Sequence, residues 1–127
     1  MAYEVEVEQA FRARQGLPSP VRARQGLPLL APSAEIDVLI RAGVTFDDAQ
    51  LTARGWFFDT DALAGQLDRW AAVLSDGPWT ARFAFRPTFE LVARHVFASL
   101  TASVPQLSWV ELEDIPFGTR TRYLAPT

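Results

Sequence analysis

The chain has 127 residues, 49% of them hydrophobic, with 12 basic and 15 acidic side chains, one histidine and no cysteine. That length suits a single domain over residues 1–127 with a compact core, and a formal charge of −3 gives no reason to expect nucleic acid or an acidic membrane surface as partner. Disulfides, thiolate nucleophiles and thiolate metal sites are excluded, and no apolar run approaches the roughly 18 residues of a membrane span.

The opening Met1-Ala2-Tyr3-Glu4 is acidic and alternating, unlike a secretory signal, so a soluble cytoplasmic protein is expected. Residues 2–12 alternate, with Tyr3, Val5 and Val7 on one face and Glu4, Glu6 and Glu8 on the other. That pattern predicts a half-buried antiparallel strand. Its phase shifts near Gln9-Ala10-Phe11, which suits a bulge or a strand end. Next, Arg12-Ala13-Arg14-Gln15-Gly16-Leu17-Pro18 recurs letter for letter as Arg22-Ala23-Arg24-Gln25-Gly26-Leu27-Pro28. Gly-Leu-Pro turns the chain in both copies. The repeat reads either as a basic loop that grips a carboxylate, a phosphate or a partner subunit, or as a local duplication that lengthened a surface hairpin.

Residues 34–42 alternate again, Ile36, Val38 and Ile40 against Glu35, Asp37 and Arg41, with Leu39 the exception. This is a second strand, paired with the first. Gly43 to Gln50 reads as a polar loop whose adjacent Asp47 and Asp48 are expected to be solvated. Gly55-Trp56-Phe57-Phe58 reads as a short apolar strand end whose rings enter the core. Asp59 or Thr60 then caps a helix, Asp61 suits its positive end, and Leu63, Leu67, Trp70, Ala71 and Leu74 share its inner face. Asp76-Gly77-Pro78 stops it.

Trp79 to Arg86 is a connection with Trp79, Phe83 and Phe85 set between Arg82 and Arg86. It forms either the wall of an aromatic pocket with guanidinium groups at its rim, or a loop packing its rings onto the core. Pro87-Thr88 opens a second helix, with Thr88 as cap and Glu90 in the first turn. Leu91, Val92, Val96 and Leu100 form its seam, and His95 lies on or beside it, as a packed residue or as a ligand or acid–base group. Val104-Pro105-Gln106 is a turn. Leu107 to Glu113 is a third strand, with Val110 and Leu112 inward and Trp109 and Glu111 outward. Thr119 to Leu124 is a fourth, reached through a turn at Gly118, and its Arg120 and Arg122 are set to face Glu111 and Glu113 as cross-strand pairs.

This order of elements resembles the tunnelling fold (T-fold) of the 6-pyruvoyl- and 6-carboxy-tetrahydropterin synthases. Gly55-Trp56-Phe57-Phe58-Asp59 with Leu63 looks like the family's Gly-hydrophobic-hydrophobic-hydrophobic-Asp segment before its first helix. Pro87-Thr88-Phe89-Glu90 with Ala93-Arg94 looks like its Pro-Thr-x-Glu…Ala-Arg start of the second. The segment from Glu113-Asp114 to Tyr123 fits its closing hairpin. The likeness is fair over residues 55–127 and weak over 1–54. It implies an α+β fold of order β-β-α-α-β-β, with a four-stranded antiparallel sheet and two helices on one face. It also implies a homo-oligomer, a trimer or a dimer of trimers.

The family holds zinc with three histidines, one in a Phe-x-Ala-x-His pattern after the first strand and two in His-x-His before the second. Here the first pattern reads Phe11-Arg12-Ala13-Arg14-Gln15, and the second falls near Leu30-Ala31-Pro32. The family's catalytic cysteine is missing, and its Asp-His pair after the first helix corresponds to Asp76-Gly77. An open zinc site needs about three converging ligands, so no metal and no cofactor is expected, and neither is zinc or thiol chemistry. The family's pterin-anchoring glutamate falls at Glu113 or Asp114, where a carboxylate would face an amidine-like edge. The other reading of Glu113 is an ion pair with Arg120 or Arg122.

The expected function is therefore metal-independent binding of a small cyclic or heteroaromatic molecule between subunits, with lyase, isomerase or cyclase chemistry by carboxylate acid–base catalysis. Glu113, Asp114, Asp76 and His95 are the candidate catalytic groups. Thr88, Glu90, Arg82 and Arg86 are the candidate ligand contacts. Two alternatives stand beside it: a non-catalytic subunit that assembles with an active paralogue, its sheet edges paired in a ring, and a two-layer binding module that shares only the fold.

Overall fold

The computed structural model describes residues 2–17, 34–51, 55 and 58–126. Four strands, β1 (Ala2–Ala13), β2 (Ile36–Asp47), β3 (Leu107–Asp114) and β4 (Thr119–Leu124), form one antiparallel sheet in the order β1-β2-β3-β4. Between β2 and β3 come α1 (Thr60–Ser75), a single-turn α2 (Trp79–Arg82) and α3 (Phe89–Thr101). The two long helices lie on one face of the sheet, α1 against β1 and β2, α3 against β3 and β4. The expected β-β-α-α-β-β order holds, with α2 as an extra turn in the connection. No helix of the described residues is long and apolar enough to cross a membrane.

Each of the two long helices starts where a side chain satisfies free N–H groups of its first turn. Asp59 accepts from the amides of Asp61 and Ala62 at 3.0 and 3.1 Å, and the Thr88 hydroxyl accepts from Leu91 at 3.1 Å. Helical spacing then buries Leu63, Leu67, Ala71 and Leu74 from α1 and Val92, Ala93, Val96, Phe97 and Leu100 from α3. They pack on Val38, Ile40, Ala42, Val44, Val110 and Leu112 of the central strands. Ala93 and Phe97 join the α3 seam, while Leu91 is only half-buried. Trp79 is also core: its ring is fully buried and its indole N–H donates to the Leu74 carbonyl at 2.8 Å.

Two sequence expectations change. β1 runs unbroken in register from Ala2↔Asp47 to Ala13↔Ile36, so there is no bulge at Gln9-Ala10-Phe11. Gln9 simply occupies an inward position between Val7 and Phe11. Second, β2 continues through Gly43 to Asp47, because Ala42, Val44 and Phe46 keep the buried alternation going. The sheet's irregularity falls at Gly43/Val44 instead, where Val44 pairs with Leu107. Asp47 and Asp48 are exposed, as expected, and Asp48 also accepts from the Tyr3 hydroxyl, whose pKa is raised by that bond and by the charge of Asp48. Trp56, Phe57, the stretch around Leu30-Ala31-Pro32 and the second copy of the repeat lie outside the described residues.

Candidate functional site

The strand register sets a row of alternating charge across the sheet, on the face away from the helices. Glu8 stands opposite Arg41, Arg41 opposite Glu111, and Glu111 opposite Arg122. Arg41 is the hub. Its Nε donates to Glu8 Oε2 at 2.9 Å, and its Nη1 donates to Glu111 Oε2 at 2.8 Å and to Glu113 Oε1 at 2.7 Å. Arg122 donates to Glu111 from Nε at 3.2 Å, and Arg120 lies 3.4 Å from Glu113 Oε1. Charge-assisted bonds of this kind are about twice as strong as neutral ones. Burial opposes the Arg41 charge, but its bonds to Glu113, Glu111 and Glu8 outweigh that and raise its pKa. Conversely, the Arg41 bond, helped by Arg120 and opposed by burial, holds the Glu113 carboxyl below its ordinary range.

Glu113 keeps one oxygen available. The hydrogen bond from Arg41 and the closest approach of Arg120 both fall on Oε1, and among the described residues no hydrogen bond reaches Oε2. No buried side-chain oxygen or nitrogen there lacks a partner, so Oε2 faces solvent. The result is a carboxylate 14% exposed, fixed in charge and position, with an acceptor turned outward.

The neighbouring row is built on Gly43. Trp109 lies flat over it, so that a Cβ on Gly43 would fall 2.1 Å from the indole Cε2. Arg122 covers the ring at 3.7 Å from its centroid, a cation–π contact, and the indole N–H reaches toward Glu4 at 3.4 Å. Trp109 and Glu111 do point away from the helices, but this layering buries both. At the end of the sheet where β3 stops, Ala10, Phe11, Arg12, Asp37, Val38 and Ile115 line a cavity of about 350 Å³.

The other candidate residues sit elsewhere. Asp114, next to Glu113, points to the opposite face as strand alternation requires. It is buried, and its Oδ1 accepts from the Phe117 amide at 3.3 Å, shaping the β3–β4 turn. Asp76 is exposed and pairs with Arg82 at 2.9 Å. His95 is on α3 among the rings of Trp70, Phe83 and Phe85. Thr88 is the α3 cap, and Glu90 and Arg86 are exposed near it. Within one chain, the sheet separates Glu113 from Asp76, Arg82 and His95. The residue the sequence analysis missed is Arg41. Alternation along the strands gives only the shared face of Glu8, Arg41 and Glu111; the strand register sets Arg41 between the two carboxylates.

The described residues do not fit a zinc site. Gln15 spends its amide N–H on the Pro87 carbonyl at 3.0 Å, and no three His, Cys, Asp or Glu side chains converge among the described residues. Around Glu111 and Glu113 the positive charge comes from Arg41, Arg120 and Arg122.

No protein-family model and no curated protein matches this sequence. Among solved structures, 6-pyruvoyl tetrahydropterin synthase from Caenorhabditis elegans superposes with a TM-score of 0.67, over 99% of this chain and 97% of that one, at 13% identity. At that identity the likeness is one of fold. The chain is a T-fold, a four-stranded antiparallel sheet with its helices on one face.

Proposed function

We propose that this T-fold protein binds a small planar heteroaromatic molecule through Glu113, without zinc, in a homo-oligomer. The observation that carries the reading is the outward Oε2 of a carboxylate that Arg41 keeps ionised. An amino-substituted ring such as a pterin offers two parallel N–H donors. One meets Oε2. The second competes with Arg120, whose contact is long and whose side chain is exposed, so its displacement costs little. The cavity by Arg12, Asp37 and Ile115 offers apolar surface near the same end of β3.

The sheet edges support assembly. On the helix-free face, β1 carries Glu4, Glu6 and Glu8 against one cation, Arg12, which pairs with Glu35 and Asp37, and β4 carries Arg120 and Arg122. Unpaired edges of opposite charge favour head-to-tail joining of copies, which closes into a ring when the rotation allows. The Arg41 bond to Glu113, with Arg120 beside it, favours binding over catalysis. A general acid needs a raised pKa near the working pH, and Glu113 is moved the other way. A second reading, a non-catalytic subunit that only assembles, is favoured by the commitment of both Glu111 and Glu113 to arginines.

The test is a titration of chelator-treated protein with 2-amino-4-oxopteridine and with 2,4-dioxopteridine, which lacks the amino donors. Binding of the first, at least about tenfold tighter than the second, supports the reading. Equal affinities contradict Glu113 as anchor. An oligomer that binds neither ring leaves the assembly-only reading.

A further inference from the structure

A second site is built on the helical side of the molecule, and it is independent of the Glu113 reading. Trp70 and Val73 of α1, the segment Arg82-Phe83-Ala84-Phe85 and His95 of α3 enclose an open cleft of about 390 Å³. That volume lies in the range of small-molecule sites, which combine an apolar lining with a few convergent polar groups. The rings are fixed by one another. Phe83 and Phe85 stack at 4.9 Å. His95 meets Phe83 edge-on at 5.3 Å, Phe85 at 5.4 Å and Trp70 edge-on at 5.8 Å.

Two groups in this cleft keep hydrogen-bonding capacity. Arg82 uses only Nη2, toward the Asp76 carboxylate at 2.9 Å and carbonyl at 3.3 Å. Among the described residues its Nε and Nη1 donate to nothing, and His95 makes no hydrogen bond. The Asp76 carboxylate is 82% exposed, so its ion pair with Arg82 is of the weak surface kind that a competing anion exchanges. A guanidinium fork with free N–H groups matches a carboxylate geometrically, and the stacked phenyl groups match a flat ring.

We propose that this cleft binds a small aromatic carboxylate. Its ring lies against Phe83, Phe85 and Trp70, and its carboxylate meets Arg82 with His95 beside it. A neutral ring fills the same apolar surface but leaves the guanidinium unused, so the site discriminates by charge.

The experiment uses the full chain and the probes 2-naphthoate and 2-naphthamide, followed by calorimetry and by NMR of the Trp70 indole and His95 ring signals. Naphthoate is expected to saturate with one site per chain and shift both signals. Naphthamide, and naphthoate on Arg82→Gln, are expected to bind at least about tenfold more weakly. Ala84→Trp fills the cleft without touching its charges and is expected to abolish binding; circular dichroism checks that both variants fold. Saturating 2-amino-4-oxopteridine is expected not to displace naphthoate, whether or not it binds at Glu113. Equal affinities for the two probes, unchanged binding by Ala84→Trp, or no Trp70 shift at millimolar naphthoate overturns the proposal.

Discussion

Arg41 Nη1 and Glu113 Oε1 meet at 2.7 Å across neighbouring strands, both side chains 14% exposed. The same nitrogen holds Glu111, whose side chain is 5% exposed. Taking one member from such a partly buried pair is costly mainly because it strands the other charge. Arg41→Met is therefore expected to destabilise the fold by about 2–4 kcal/mol, less than a fully isolated pair because Arg120 and Arg122 remain. Urea unfolding of the variant checks this.

Gly43→Ala tests the opposite kind of constraint. The added methyl would overlap the Trp109 indole, within 2.1–2.4 Å of three ring atoms, and that ring is pinned by Arg122. Overpacking of this kind costs about 1–3 kcal/mol, and loss of the indole's native setting should appear in the near-ultraviolet circular dichroism. Trp109→Ala in the same background removes the clash, so the two substitutions are expected to be strongly non-additive.

Glu113 makes stability depend on pH in a definite direction. Its folded pKa lies below the ordinary 4.5, so in the unfolded chain it takes up a proton first as pH falls. Its contribution is complete above the ordinary value and is lost as pH drops through the folded one. Melting temperatures of the parent and Glu113→Gln are expected to differ at pH 7 and to draw together as pH falls below the ordinary carboxylate value and through the lowered folded one. A gap that stays constant with pH would show that the charge is not what matters.

How far the sequence exposed these features depends on whether the signal was local. Asp59 and Thr88 were legible as caps because the residues they serve lie two or three positions away. The Glu111–Arg122 and Glu113–Arg120 facing was legible because one short turn fixes that register. Arg41 was not, because its partners come from two other strands, Glu8 on β1 and Glu111 and Glu113 on β3, more than a hundred positions apart in sequence. The end of β2 was misplaced for a related reason: Gly43 reads as a breaker until Trp109, sixty-six positions on, is known to lie over it. Fold order survives such errors. The composition of a site does not.

Removing either cap should cost about 1 kcal/mol. Asp59→Ala and Thr88→Ala are each expected to lower stability by that amount, with little change in the urea m-value. The two caps serve different helices, so their effects should add.

The most direct measurement is calorimetric titration of 2-amino-4-oxopteridine into chelator-treated parent protein and into Glu113→Gln. The account predicts saturable binding by the metal-stripped parent, weakened at least about tenfold when the carboxylate becomes an amide. Binding that appears only after zinc is added back, or that is equally tight in both proteins, would contradict it.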